Sequence, residues 1–284
     1  MQLLILSVFT MTAFAANSIL TRMAVDSGHI DPTGFAILRV LAGAVVLGAI
    51  IVAKKNHLQL FHRRRAVGAL SLAVYMVGFS LAYLTLDAGL GALVMFGVVQ
   101  IFMFAFTTAT GTRPTGRQLM GATIAFSGLT LALWPGAHST SDPTGAALMV
   151  AAGIGWAIYT LSGRAEPDPL AATTANFILC LPIVTATLIW FSAIADATVI
   201  GWGLAVMCGG VTSGLGYALW YRVLPQLPQN LAPIVQLSVP IIALLGGAVL
   251  LGEAVSLAVA IAAILVVCGI ALAVTSRSLP KDRR

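Results

Sequence analysis

Residues 32–53 read PTGFAILRVLAGAVVLGAIIVA, with Asp31 before them and Lys54-Lys55 after. This stretch holds a single charge, Arg39, and its length matches the roughly 20 apolar residues that a helix needs to cross about 30 Å of hydrocarbon. Period-2 alternation, the mark of a membrane barrel strand, is absent, and lipid leaves only helices as the other way to pair every backbone polar group. The segment reads as a transmembrane helix. Reading outward from it, runs of the same kind recur along the whole chain, near 3–21, 66–86, 88–109, 118–136, 145–163, 169–193, 198–221, 229–251 and 257–275. The fold class expected is all-α integral membrane with ten transmembrane helices. Composition agrees: 59% of the 284 residues are hydrophobic, only 8% are charged, and mean hydropathy is +1.00. A soluble domain carries about 25% charged residues, so this chain lacks the means to coat itself with a polar surface.

The formal charge of +6 is a matter of orientation rather than of nucleic acid, because the basic residues are placed on one side. With a cytoplasmic N-terminus, one face of the membrane receives Lys54, Lys55, Arg63, Arg64, Arg65, Arg113, Arg117, Arg164, Arg222, Arg277, Lys281, Arg283 and Arg284. The other face has Arg22 and most of the acids: Asp26, Asp31, Asp87, Asp142, Asp196 and Glu253. Both termini are therefore expected in the cytoplasm, with the chain in the inner (plasma) membrane. Ala13-Phe14-Ala15 imitates a signal-peptidase site, but Met1-Gln2 offers no basic n-region, so the first span is expected to be retained. Cys180, Cys208 and Cys268 lie in apolar runs without paired spacing and read as buried small hydrophobes. The four histidines fall in connecting segments, and nothing calls for a metal or another cofactor.

The halves resemble each other. Phe14-Ala15 meets Trp156-Ala157 and Arg22 meets Arg164 at a shift of 142, while Asp31-Pro32 meets Asp168-Pro169 at 137. Gly78 and Tyr83 meet Gly216 and Tyr221 at 138, and Gly111 and Gly128 meet Gly252 and Gly269 at 141. Two units follow, 1–141 and 142–284. Each has five spans, an odd number, so the second is expected to insert upside down. Inverted repeats of this kind recur in transporters, whose sites lie near the midplane between the halves.

With these features the chain resembles the drug/metabolite transporter superfamily in its ten-helix EamA-type branch. The resemblance covers the whole chain and rests on the 5+5 plan, Leu250-Leu251-Gly252-Glu253 closing the ninth span, Gly269 in the tenth, and Phe35-Ala36-Ile37-Leu38-Arg39 in the second. Thr112 stands where the second half has Glu253. The resemblance implies export of amino acids or other metabolites, with an aromatic amino acid exporter branch as a candidate.

Site residues are sought among polar and aromatic groups inside spans, because lipid offers such groups no partner. The amides Asn17, Gln100, Asn176 and Gln236 either hold a cargo's charged ends or bond helices to one another, the latter worth about 0.6 kcal/mol on average. Asn17 aligns with Tyr159 and Asn176 with Arg39 across the repeat. Arg39 either attracts a cargo carboxylate or, the favoured reading, forms a structural ion pair with an acid such as Glu253. Tyr75, Phe79 and Tyr83 recur every four residues on one helical face. Tyr217 and Tyr221 align with Phe79 and Tyr83, and Trp156 with Tyr159 adds a further aromatic pair. Such a lining suits a small organic ligand. Tyr83 and Tyr221 also read as interfacial belt residues, like Trp134, Trp190 and Trp202, leaving Phe79, Tyr159 and Tyr217 as the deeper positions. Gly210 and Gly214 read as a helix-packing pair, and Pro233 and Pro240 as a hinge for a gate or a simple kink.

An enzyme is not expected, since no nucleophile has an obvious base and no histidine lies in a span. The expected partners are a small-molecule substrate and the bilayer. A membrane scaffold, or a carrier of sugar-phosphates or nucleotide-sugars, remains open as an alternative. No acid lies in the middle of a span, which favours facilitated over proton-coupled movement.

Overall fold

The computed structural model describes residues 2–55, 58, 60, 63–109, 115–133, 142–163, 166–227 and 235–274. Among them there is no strand. Seven helices are long and apolar enough to cross a membrane. These are α1 (Gln2–Asp26), α2 (Pro32–Ala53), α3 (Arg63–Ala82), α4 (Ala88–Ala109), α6 (Pro143–Gly163), α7 (Pro169–Leu188) and α8 (Val199–Gln226). Three more, α5 (Gly116–Leu133), α9 (Ser238–Leu250) and α10 (Leu257–Val274), are shorter or less apolar. In the expected span 229–251 the described residues begin at 235; residues 235 and 236 are helical, α9 runs from Ser238, and Pro233 lies outside the described residues. Pro240 stands in the first turn of α9, just after the helical run is interrupted at 237, a place where a proline's missing N–H accompanies a kink. A proline that does stand inside a helix is Pro182 in α7.

Helix starts are set by local chemistry. The Asp31 carboxylate accepts the Thr33 and Gly34 N–H groups at 3.0 and 2.8 Å and caps α2, with Pro32 as its first residue. Asp168 and Pro169 repeat the arrangement on α7, where the Ala171 N–H is held at 3.0 Å. Asp142 caps α6 through Thr144 and Gly145, and these backbone donors hold its carboxyl below the usual carboxylate range. Thr115 and Gln118 form a reciprocal capping box on α5.

The helices pack as α5 on α10, α3 on α6, α2 on α7, α2 on α8, α3 on α7, α1 on α8, α4 on α6, α4 on α9 and α1 on α9. Exchanging each helix n for n±5 turns α3–α6 into α1–α8, α4–α6 into α1–α9 and α3–α7 into α2–α8. It leaves α2–α7, α4–α9 and α5–α10 unchanged, whereas α4–α5 and α1–α4 have no comparable counterpart in α9–α10 and α6–α9 among the described residues. The α5–α10 pair closes on glycine: a methyl on Gly121 would strike the Gly269 carbonyl, and one on Gly269 would strike Gly121 in turn. Within α8, Met207–Leu215 is wound as a π-helix. A side chain at Gly209 would run into the Arg39 carbonyl, so here α2 and α8 touch backbone to backbone. Gly210 and Gly214, the pair expected to pack, face Val46 and Gly43 of α2. Cys180 and Cys208 are buried as expected; Cys268 instead lies exposed on α10.

Candidate functional site

Between the helices lies a small cavity lined by Phe14, Asn17, Ser18, Tyr75, Phe79, Met95, Phe96, Trp156 and Tyr217. α1, α3 and α4 contribute from one half of the chain, α6 and α8 from the other. Its free space is about what one water molecule needs. The rings interlock: Phe14 meets Trp156 edge-on at 5.4 Å, Trp156 meets Tyr217 at 4.6 Å, and Tyr75 meets Phe79 and Trp156 each at 5.1 Å. Such pairs contribute about 0.5–1.5 kcal/mol each beyond the area they bury.

Five residues expected at a site therefore meet on one surface: Asn17, Tyr75, Phe79, Trp156 and Tyr217. Two more form a second layer. Tyr83 sits edge-on to Phe79 at 4.8 Å, and Tyr159 stacks on Trp156 at 5.5 Å and on Tyr221 at 5.4 Å. Tyr83 and Tyr221 are 0% and 2% exposed, which corrects their reading as interfacial belt residues. Their hydroxyls have partners inside the protein, Tyr83 donating to the Ala88 carbonyl and Tyr221 to that of Tyr159. Trp190 and Trp202 are exposed; Trp134 lies outside the described residues. Gln100, Asn176 and Gln236 are buried but not in the cavity wall, and each keeps one amide atom without a partner. Phe14, Ser18, Met95 and Phe96 were not singled out as site residues. For Phe14 a signal existed, since it aligns with Trp156 across the repeat.

Asn17 joins α1 to α8. Its Oδ1 accepts from the Thr212 hydroxyl at 2.6 Å, the Ser213 hydroxyl at 2.9 Å and the Cys208 thiol at 3.3 Å, all from the π-wound part of α8. Behind the cavity wall stands Arg39, fully buried. Its Nε donates to Ser213 at 2.9 Å, and its Nη2 donates to the Tyr75 and Tyr217 hydroxyls at 3.0 Å each. Tyr217 in turn donates to Tyr75 at 2.9 Å. The guanidinium lies 4.8 Å from the Phe79 ring centre and 5.4 Å from that of Tyr75.

The expected Arg39–Glu253 pair does not form. Glu253 is at the far end of α9, where its carboxylate accepts the Ala88 N–H at 2.8 Å and caps α4. Its cationic partner is Arg22, 3.6 Å away, which also reaches Asp26 at 3.1 Å and Asp87 at 3.5 Å. Arg22 is the nearer cation because it leaves α1 at the same end of the bundle, whereas Arg39 lies about two turns inside α2. Arg65 and Glu166 form another buried pair, at 2.9 Å, near the other end of α3.

The EamA-like transporter family model matches residues 143–275. An uncharacterized protein of Pseudomonas aeruginosa is 40% identical over 281 residues, covering 96% of this chain and 95% of its own length. The chain belongs to the EamA-like transporter family. Two more distant relatives carry the name uncharacterized transporter: one from Archaeoglobus fulgidus is 26% identical over 87% of this chain and 90% of its own. The other, YwfM of Bacillus subtilis, is 24% identical over 79% and 78%. A solved crystal structure shares the fold, with a TM-score of 0.70 at 20% identity over 95% of this chain and 98% of that one. As an EamA-like transporter it is a multi-pass membrane protein, and the cavity and its neighbouring arginine are where its geometry offers chemistry to a small molecule.

Proposed function

We propose that this transporter carries small neutral metabolites, amino acids with large apolar or aromatic side chains foremost, out of the cell by alternating access. The observation that carries the reading is the aromatic cavity built by both halves of the chain. Phe14 and Trp156, and likewise Phe79 and Tyr217, are repeat partners that meet in one wall. A stacking surface of this kind suits a flat apolar side chain, and its ring faces attract an ammonium group. Units 1–141 and 142–284 act as inverted five-helix bodies, a reading supported by packing partnerships that survive exchange of n for n±5. With room for about one water, the cavity admits cargo only after the halves separate toward one side. Tyr83, Gln100, Tyr159, Asn176 and Gln236 are then surfaces that this movement uncovers, and Pro233 and Pro240 are the candidate hinge of a gate.

The chain sits in the inner membrane with both termini in the cytoplasm, as its basic residues direct. Movement is facilitated, because the acids stand at helix ends rather than in the middle of a span. Proteoliposomes loaded with labelled phenylalanine should empty down its gradient with no pH gradient imposed, and an ionophore should leave the rate unchanged. Strict dependence on a proton gradient would sink the coupling claim. Transport of a phosphorylated sugar with none of amino acids would sink the cargo claim.

A further inference from the structure

Beside the cavity stands a charge that the described residues leave unbalanced. Arg39 is fully buried and forms no ion pair among them, while the four pairs that do form engage Arg22 and Arg65. A guanidinium does not give up its proton in a protein, so the charge persists. Its hydrogen bonds all go to neutral hydroxyls, and its Nη1, with two N–H donors, has no partner. Leaving a buried charge uncompensated is expensive in a protein interior and more so within a membrane. The Phe79 and Tyr75 rings offset part of that cost through their π faces.

This placement is built, not incidental. The backbone contact at Gly209 brings α8 against α2 at Arg39 itself; the π-wound turns present Ser213 to the guanidinium, and the α-helical turn after them presents Tyr217. Tyr75, Phe79 and Tyr217 are shared between Arg39 and the cavity wall. The amide of Asn17 is a poor rival for an anion: its Oδ1 already accepts three donors, and only its Nδ2 is weakly held, 3.5 Å from the Thr212 carbonyl.

We propose that Arg39 is the docking point for a carboxylate on the cargo, received at Nη1, so that the cargo itself supplies the counter-charge the helices omit. The ligand class is a small organic carboxylate with an aromatic or branched apolar body, the body lying among Phe14, Phe79 and Trp156. The Tyr217 hydroxyl, now donating to Tyr75, can turn its proton to the same carboxylate. This deepens the proposed function and rests on the cavity being the transport site.

The test uses the full-length purified protein and three probes that differ by one group: phenylalanine, 3-phenylpropionate and phenylalaninamide. Binding is read by calorimetry and thermal stabilisation. Phenylalanine and 3-phenylpropionate should bind, phenylalaninamide about tenfold or more weakly, since it loses a charge-assisted pair. Arg39→Gln should erase the preference for the carboxylate, and Arg39→Lys should retain it. Should Arg39→Gln fail to fold, the probe series on the unaltered protein decides alone. Equal affinity for phenylalanine and its amide overturns the role of Arg39 while leaving amino acid transport standing. Binding of 3-phenylpropionate without phenylalanine does the reverse. If neither carboxylate binds at millimolar concentration, both proposals fall.

Discussion

Glu253 shows how one residue's partners decide its behaviour. Burial raises its carboxyl above the usual carboxylate range, with Asp87 adding to the rise, while the Ala88 N–H and the Arg22 guanidinium pull the other way. Tyr83 lies within electrostatic reach of it, and Asp26 shares its Arg22 partner. The sign follows from linkage: a carboxyl raised in the folded state binds its proton more readily there than when unfolded. Its contribution to stability therefore grows as pH falls through the raised value, and levels off below the ordinary carboxylate pKa. Glu253→Gln, a neutral isostere, removes this dependence. The melting temperature of the unaltered protein, minus that of Glu253→Gln, should rise between pH 7 and pH 4 in detergent. A difference that shrinks on acidification would mean that Arg22 and the α4 N-terminus outweigh burial.

At the scale of elements, the site depends on α2 and α8 touching. Gly209 has no room for a methyl, because the atoms in its way are backbone atoms of Arg39 and cannot swing aside. Gly203, two turns earlier on the same helix, faces open space. Gly209→Ala should cost about 1–3 kcal/mol through forced separation of the helices, and should weaken phenylalanine binding by displacing Arg39, Ser213 and Tyr217 together. Gly203→Ala should be neutral or gain about 0.4–1 kcal/mol from the stiffer unfolded chain. Thermal unfolding and calorimetry on the two variants check both halves of the statement. Equal effects would show that helix propensity, not close approach, governs α8.

For the whole molecule, the one-sided placement of the basic residues makes the proposed topology testable. A reporter fused after Arg284 should be active only on the cytoplasmic side, and one inserted near Ser141 only on the outside. A periplasmic C-terminus would overturn the orientation and, with it, the inverted relation of the two units. Two ion-pair groups bracket the cavity along α3. Arg22, with Glu253, Asp87 and Asp26, lies beside its C-terminal end, and Arg65 with Glu166 near its start. Both groups join residues from before position 142 to residues after it.

Membrane class and the aromatic face of Tyr75, Phe79 and Tyr83 were legible in the sequence, because each depends on neighbours within a few residues. So was the alignment of Phe79 with Tyr217, which tertiary packing then brought into one wall. The partners of Arg39 and Glu253 were not legible. Spacing places both as charges in or beside apolar helices and suggests that they meet. Which cation reaches which carboxylate depends on depth along different helices and on which ends lie together. The π winding of α8 was hidden as well: a run of small residues is compatible with several windings, and contact with α2 selects one. Sequence alone determined that this chain lives in a membrane as apolar helices. Only the tertiary structure decided that Glu253 caps α4 beside Arg22 while Arg39 stands without a counter-ion among the described residues, because charges choose partners by distance in space and not by distance along the chain.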